Sequence, residues 1–215
     1  MTGDLFPPDP EERVRPLASA VFLLPDQATA QADELLCAIG MIEQQAPFRH
    51  MKTPGGHTMA VAMTNCGRLG WVSDHNGYRY TSSDPDSGLR WPALPPAFLT
   101  LARQAATAAG FPGFEPDACL VNRYVPGTRL SLHQDRNERD YDAPIVSVSL
   151  GMSAVFLLGG HSRSDRPVRV PLHHGDVMVW GREDRLRFHG VMPLKPDPHP
   201  RLGLQRINLT FRKAG

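Results

Sequence analysis

The stretch APIVSVSLGMSAVFLLGG, residues 143–160, decides the fold. It is long enough to be weighed as a membrane span, but serines and glycines interrupt it and its apolar residues alternate. Val146, Val148, Leu150, Met152, Ala154 and Phe156 fall on one side, and Ser147, Ser149, Gly151 and Ser153 on the other. Period two is the signature of a strand, with one face in a core and the other lined by small side chains. Small residues on the inner face of a curved sheet leave either a cavity or room for close packing by another element.

The same alternation runs outward from this stretch. ACLVNRYV, GDVMVWG, LRFHGV and QRINLTFR read as further strands, with turns at Pro126-Gly127, Gly159-Gly160 and Gly175-Asp176. Seven or eight short antiparallel strands in about a hundred residues make a sandwich, a jelly roll or a small barrel. Helices are expected before the strands rather than between them, which disfavours a parallel α/β sheet. One should start at Asp26 as its cap and bury Ala32, Leu35, Leu36, Ile39 and Ile42 before Pro47. A second should follow Pro95-Pro96 and stop at Gly110. Between them, residues 48–94 are cut by PGG, NCG and HNG into extended pieces expected to form hairpins. Residues 1–16, acidic and rich in proline, read as a flexible arm without the pattern of a signal peptide.

With 215 residues, 41% hydrophobic, 21% charged and 7% aromatic, the chain is expected to be one soluble globular domain with no membrane segment. A net charge of +1 means that an anionic polymer would have to be met by a local basic surface. Cys37, Cys66 and Cys119 are odd in number and widely spaced, which predicts neither a disulfide framework nor a zinc ribbon and suggests a reducing, cytoplasmic setting.

Two His-x-Asp pairs occur, His133-Gln134-Asp135 and His174-Gly175-Asp176. Residues two apart on an extended chain project to one side, so either pair could supply two ligands of a facial iron site, which needs two imidazoles and one carboxylate. For the first pair, His189 in RLRFHGV is the natural third ligand. Gly175-Asp176 reads as a turn, so the second pair is taken as structural. In QRINLTFR, Arg206, Asn208, Thr210 and Arg212 share a face. Arginines there are usually solvated, but two of them following a distal histidine suit the two ends of a dicarboxylate. Asn122 and Tyr124 share a face of CLVNRYV and could add neutral hydrogen bonds.

Taken in order, NRY, LSLHQD, FHG and RINLTFR resemble the AlkB family of iron- and 2-oxoglutarate-dependent dioxygenases that repair alkylated nucleic acids. MKTPGGHTMAVAMTNCG and GFPGFEPDACLVNRY are similar too, so the resemblance spans roughly residues 15–214. It implies a mainly β fold with flanking helices: a double-stranded β-helix, or jelly roll, over residues 111–215, preceded by an extension over 17–110 carrying a nucleotide-recognition lid. It implies Fe(II) held by His133, Asp135 and His189, and 2-oxoglutarate held by Arg206 and Arg212 with Asn122, Tyr124 and Asn208. With O2 as cosubstrate, an N-methyl carbon of a base such as 1-methyladenine or 3-methylcytosine would be oxidised and lost as formaldehyde, with succinate and CO2 as coproducts.

The base must be flipped out of a duplex or already single-stranded. By resemblance, Trp71 stacks on the base against His133, Tyr78 contacts the backbone and Arg163 lines the substrate side. Tyr80 could equally be hairpin packing; Met59 and Met63 read as core first and pocket wall second, and Lys52, Arg68, Arg79, Arg129 and Arg136 as solvated charges or phosphate contacts. Asn137 stands where the best-known bacterial members carry an acid that meets the base's exocyclic amine; its side-chain oxygen could accept from that amine without the charge. His57 similarly replaces a lid tyrosine. The expected partner is DNA, with RNA as the alternative polymer, and the expected state a monomer. Two other readings remain open: an iron and 2-oxoglutarate enzyme acting on protein or a small molecule, and a jelly-roll binding protein with no catalysis.

Overall fold

The computed structural model describes residues 14–215. Strands β1 (Arg15–Ala18) and β2 (Val21–Leu24) form a tight hairpin, and a 3-10 turn at Thr29–Gln31 leads into helix α1 (Ala32–Gln45). Next come β3 (Ala62–Gly67), β4 (Gly70–Asp74), β5 (Gly77–Thr81) and helix α2 (Pro96–Ala108). The remaining strands are β6 (Ala118–Tyr124), β7 (Leu130–His133), β8 (Ile145–Gly151), β9 (Ala154–Leu158), β10 (Val168–Leu172), β11 (Val177–Trp180), β12 (His189–Val191) and β13 (Arg206–Arg212). Of the arm expected over residues 1–16, the first thirteen lie outside the described residues, whereas Arg15 and Pro16 pair with Leu23 and Phe22.

Seven strands form the large sheet in the order β1-β2-β11-β8-β13-β6-β3, and four form the small sheet in the order β10-β9-β12-β7. From β6 onward the chain passes back and forth between the two sheets, apart from β9 and β10, which are neighbours in the small one, as in the expected jelly roll. The inner faces enclose one core, with Leu120, Tyr124, Met152, Phe156, Trp180 and Val191. The outer face of the large sheet is covered by the helices. Leu35, Ile39 and Ile42 of α1 and Phe98, Leu101 and Ala105 of α2, at helical spacing, pack there with Val146, Val148, Leu150, Leu209 and Phe211.

Helix α2 begins with Pro96 in its first turn, as read from the sequence, and the chain leaves it through Gly110 at φ 82°. Helix α1 differs from expectation at its start. Asp26 does not cap it: its backbone sits at φ 55° and its N–H donates to Asp176 Oδ1 at 3.1 Å. That tertiary tie holds Asp26 in a turn, and the helix begins six residues later. The segment before α2 is also only partly hairpins. β3 joins the large sheet beside β6, with Cys66 opposite Cys119, so NCG lies inside a strand; β4 and β5 alone pair as a separate two-stranded unit.

The alternation over 145–156 spans two strands rather than one. Gly151, at φ 91°, turns the chain from the large sheet into the small one. Val146, Val148 and Leu150 consequently face the helices, while Met152, Ala154 and Phe156 face the space between the sheets. A Cβ at Gly151 would overlap the carbonyl oxygen of Gln205. Gly151→Ala is expected to lower the unfolding free energy by about 2 kcal/mol or more, measurable by urea denaturation, because both the left-handed backbone and the close approach exclude a side chain.

Candidate active site

Ser147 and Ser149, the small side chains of β8, are both buried: Ser147 lines a cavity of about 690 Å³ between the sheets, and Ser149 accepts a hydrogen bond from Arg206. β7 and β12 are neighbours in the small sheet, with His133 and His189 as register partners and their rings 4.4 Å apart. Asp135 lies just past the end of β7. His133 Nε2 is 3.6 Å from Asp135 Oδ1, and His189 Nε2 is 3.7 Å from Asp135 Oδ2. One donor atom from each of the three lies within 4.8 Å of the others, the distance at which a single ion can be shared.

The local chain prepares both imidazoles. His133 Nδ1 sits 2.9 Å from the Ser131 carbonyl and His189 Nδ1 3.0 Å from that of Arg187, so each Nδ1–H donates backward and each Nε2 lone pair points at the carboxylate. Burial, and then the adjacent His133, push the His189 imidazole down to about 4 against the pull of Asp135, which keeps it a neutral ligand. Burial would raise Asp135, but Arg212 and the two histidines hold its carboxyl well below the usual range. Arg212 donates to Asp135 Oδ2 through Nε at 3.0 Å and Nη2 at 2.6 Å.

Arg206 has a different environment. It is 1% exposed, donates from Nη2 to Ser149 Oγ at 3.0 Å and lies 5.0 Å over the Tyr124 ring. Its Nε and Nη1 are buried with no hydrogen-bond partner among the described residues. Burial draws its pKa below the ordinary value, against a smaller upward pull from Tyr124.

The sequence pattern of the 2OG-Fe(II) oxygenase superfamily matches residues 20–212. The chain is 56% identical over 199 residues to a protein of Salmonella typhimurium named Alpha-ketoglutarate-dependent dioxygenase AlkB, covering 93% of this chain and 92% of that one. To the protein of the same name from Escherichia coli it is 53% identical over 212 residues, covering 99% and 98%. The chain belongs to the AlkB family. A solved structure, that of OsALKBH1, superimposes with a TM-score of 0.81 at 28% identity, covering 93% of this chain and 99% of that one.

As an AlkB-family member the protein is an Fe(II)- and 2-oxoglutarate-dependent dioxygenase, using O2 as cosubstrate. The residues present fit both groups. Two neutral imidazoles and one carboxylate are the donor set of a facial iron site, and Arg206, with two unanswered N–H groups, lines the same cavity, where a dicarboxylate could answer them. Asn122 and Tyr124 line this cavity as well. Asn208 lines it too, but its amide is already engaged: Nδ2 donates to Ser147 Oγ and the Val148 carbonyl, and Oδ1 accepts from Thr210.

Of the residues expected to meet the substrate, Trp71, Tyr78, Asn137 and Arg163 all line the cavity. Trp71 stacks on Tyr78 at 5.7 Å and 13°. Met59 and Met63 form part of the wall, Met63 within the inter-sheet core. Arg129 and Arg136 also line the cavity. Arg68 and Arg79 are instead paired with Asp117 and Asp74, and Lys52 and His57 are exposed outside the lining. The second His-x-Asp pair is structural. His174 Nδ1 accepts the Gly151 N–H at 2.9 Å and its ring stacks on His199, while Asp176 accepts from the backbone N–H groups of Asp26 and His173.

The sequence gives no sign of a buried charge cluster behind the AlkB site. Glu138 is 6% exposed and Arg185 is 2% exposed; Arg185 donates to Glu138 Oε2 at 3.1 Å and to the Asp135 carbonyl at 2.8 Å. The Tyr80 hydroxyl donates to Glu138 Oε1 at 2.6 Å. Partners 47 and 58 residues apart share no periodicity, so only the fold brings them together.

Proposed function

We propose that this protein removes alkyl groups from ring nitrogens of bases such as 1-methyladenine and 3-methylcytosine in DNA, with RNA as a second polymer. The observation that carries the reading is the cavity itself: an aromatic stack of Trp71 and Tyr78 at one side and the His133, Asp135 and His189 cluster at the other. A flat base can lie on the aromatic face with its methyl group directed toward the cluster. With O2, bound iron and 2-oxoglutarate would supply an oxidant strong enough for a methyl C–H bond, one oxygen atom going to the methyl carbon and the other to succinate as CO2 is lost from the keto acid.

The chain's own residues position the reactants and exclude water. His133, Asp135 and His189 hold the metal, Arg206 and Arg212 anchor the keto acid with Asn122 and Tyr124, and Asn208 keeps β8 and β13 in register beneath it. Arg129, Arg136 and Arg163 at the cavity lining supply the local positive charge that a net charge of +1 does not provide, and are placed to meet phosphates. No nucleophile or general base is needed, because a hydroxymethyl group on nitrogen departs as formaldehyde. Residues 17–110 act as the lid-bearing extension of the catalytic core. The protein is proposed to act as a monomer in the cytoplasm; its three cysteines are unpaired and no helix among the described residues is long and apolar enough to cross a membrane. The test is formaldehyde release from methylated oligonucleotides with ferrous iron and 2-oxoglutarate; no release from any methylated base would refute the proposal.

Asn137 bears on which lesions are favoured. The indole Nε1–H of Trp71 can only donate, so the atom it meets at 3.1 Å is Asn137 Oδ1. That oxygen keeps a second lone pair, so it can still accept from the exocyclic amine of a base, though without a carboxylate's charge, and the amide N–H groups are available as donors. Asp135 is the one carboxylate among the described cavity residues, against five arginines. A cationic base gains no free carboxylate, whereas a carbonyl beside the methylated nitrogen, as in 3-methylthymine or 1-methylguanine, gains a donor. Asn137→Asp is expected to raise the ratio of kcat/KM for 3-methylcytosine over 3-methylthymine about tenfold, read by competition between the two oligonucleotides.

A further inference from the structure

Trp71 and Tyr80 are directly opposed on the β4–β5 hairpin, and both reach the loop that follows Asp135. Trp71 bonds to Asn137 and Tyr80 to Glu138, two consecutive residues. The first of these bonds faces the cavity. The second enters the buried cluster, where Glu138 Oε1 also lies 3.5 Å from Arg212 Nε and the Tyr80 oxygen lies 3.4 Å from Arg212 Nη1. Arg185, fixed by the carbonyls of Asp135 and Ala143, closes the cluster from behind.

A two-stranded hairpin is marginal by itself, so its seat depends on a few fixed contacts. Asn65 clamps the backbone of Trp71 at one end, through Nδ2 to the Trp71 carbonyl and Oδ1 to its N–H, and Trp91 Nε1 donates to the Thr81 carbonyl. Tyr80 is the contact that ties the hairpin to charged groups of the site. Arg212, in turn, is shared between Asp135 and Glu138. A metal drawing on Asp135 and a carboxylate drawing on Arg212 would both disturb that pair, leaving Glu138 and Tyr80 as the protein groups that aim the guanidinium. Buried charged networks of this kind have few alternative arrangements, because each unpaired member is costly.

We infer that Tyr80 and Glu138 are positioning residues that couple seating of the Trp71–Tyr78 hairpin to cosubstrate binding at Arg212. The inference rests on the proposed reading of Arg212 as a keto-acid anchor. Coupling of this kind is reciprocal: a base held by the hairpin tightens 2-oxoglutarate, and 2-oxoglutarate steadies the hairpin.

Calorimetric titration of the Mn(II)-loaded protein with 2-oxoglutarate, with and without a methylated trinucleotide, tests this without turnover. In the unaltered protein the trinucleotide should tighten 2-oxoglutarate about fivefold or more. Tyr80→Phe should bring that factor close to one, weaken 2-oxoglutarate about three- to tenfold and leave Mn(II) affinity unchanged. Glu138→Gln should do the same, and the double variant should be no worse than either single one. Hydrogen exchange over residues 70–81 should slow on adding 2-oxoglutarate in the unaltered protein and not in Tyr80→Phe. A coupling factor of one in the unaltered protein, or an unchanged factor in Tyr80→Phe, overturns the inference alone. An unaltered protein that binds no 2-oxoglutarate overturns the proposed function and this inference with it. Should Glu138→Gln not fold, Tyr80→Phe decides the matter.

Discussion

Arg206→Met is expected to bind 2-oxoglutarate at least about a hundredfold more weakly than the unaltered protein, yet to unfold at a higher denaturant concentration when no ligand is present. The two effects have one cause. Arg206 is 1% exposed and makes a single side-chain hydrogen bond, to Ser149, so in the free protein two of its donors are desolvated and unanswered. Methionine can occupy the same channel over the Tyr124 ring without that cost, which should stabilise the ligand-free fold by about 1 kcal/mol or more. A carboxylate meeting the guanidinium answers the buried donors, and truncating one partner of such a pair typically costs about 2–5 kcal/mol of binding. Denaturation with and without 2-oxoglutarate separates the effects, since ligand shifts the transition only where it binds. A variant that loses stability without losing affinity would show that Arg206 is a structural cation and that the dicarboxylate is anchored elsewhere.

What the sequence discloses and what it hides follow from the range of the signal. Period two marks β8 and β13 because one face packs beneath the helices and the other carries mostly small or polar side chains, whereas β6 and β11 are read from their apolar runs and place residues in both cores. The corner at Gly151 is invisible to the same pattern: the apolar parity continues unbroken from Val146 to Phe156 while the backbone turns and sends the same parity to a different core. The cluster of His133, Asp135 and His189 is legible because His133 and Asp135 are local, leaving a single histidine to be found, and His189 occupies the strand that pairs with β7. The start of α1 is misread because a tertiary bond from Asp26 to Asp176 overrides a favourable cap. Arg79 looked available for phosphate only until the fold set it against Asp74, 2.7 Å away. The cluster of Tyr80, Glu138, Arg185 and Arg212 is hidden more thoroughly, since no local rule relates its members: Arg212 is read against a dicarboxylate, Tyr80 as possible hairpin packing, and Glu138 and Arg185 as ordinary surface charges.

The two His-x-Asp pairs offer the sharpest test of that reading, because they are alike in sequence and opposite in assigned role. His133→Ala should lower both metal affinity and demethylation by more than about a hundredfold, a loss that removing an outer-sphere partner of a metal site can already approach. The side chain of His133 is 34% exposed, so water can fill the space and the fold should survive, leaving Asp135 still held by Arg212. His174→Ala removes only the acceptor of the Gly151 N–H and one ring of the stack with His199. It should cost about 1 kcal/mol of stability and leave metal affinity unchanged. Calorimetric titration with Mn(II), which needs no turnover, compares the two variants directly. If His174→Ala were the one to lose metal, the pairing of β7 with β12 would be irrelevant to the chemistry, and the assignment of the cavity between the sheets as the reaction site would fall with it.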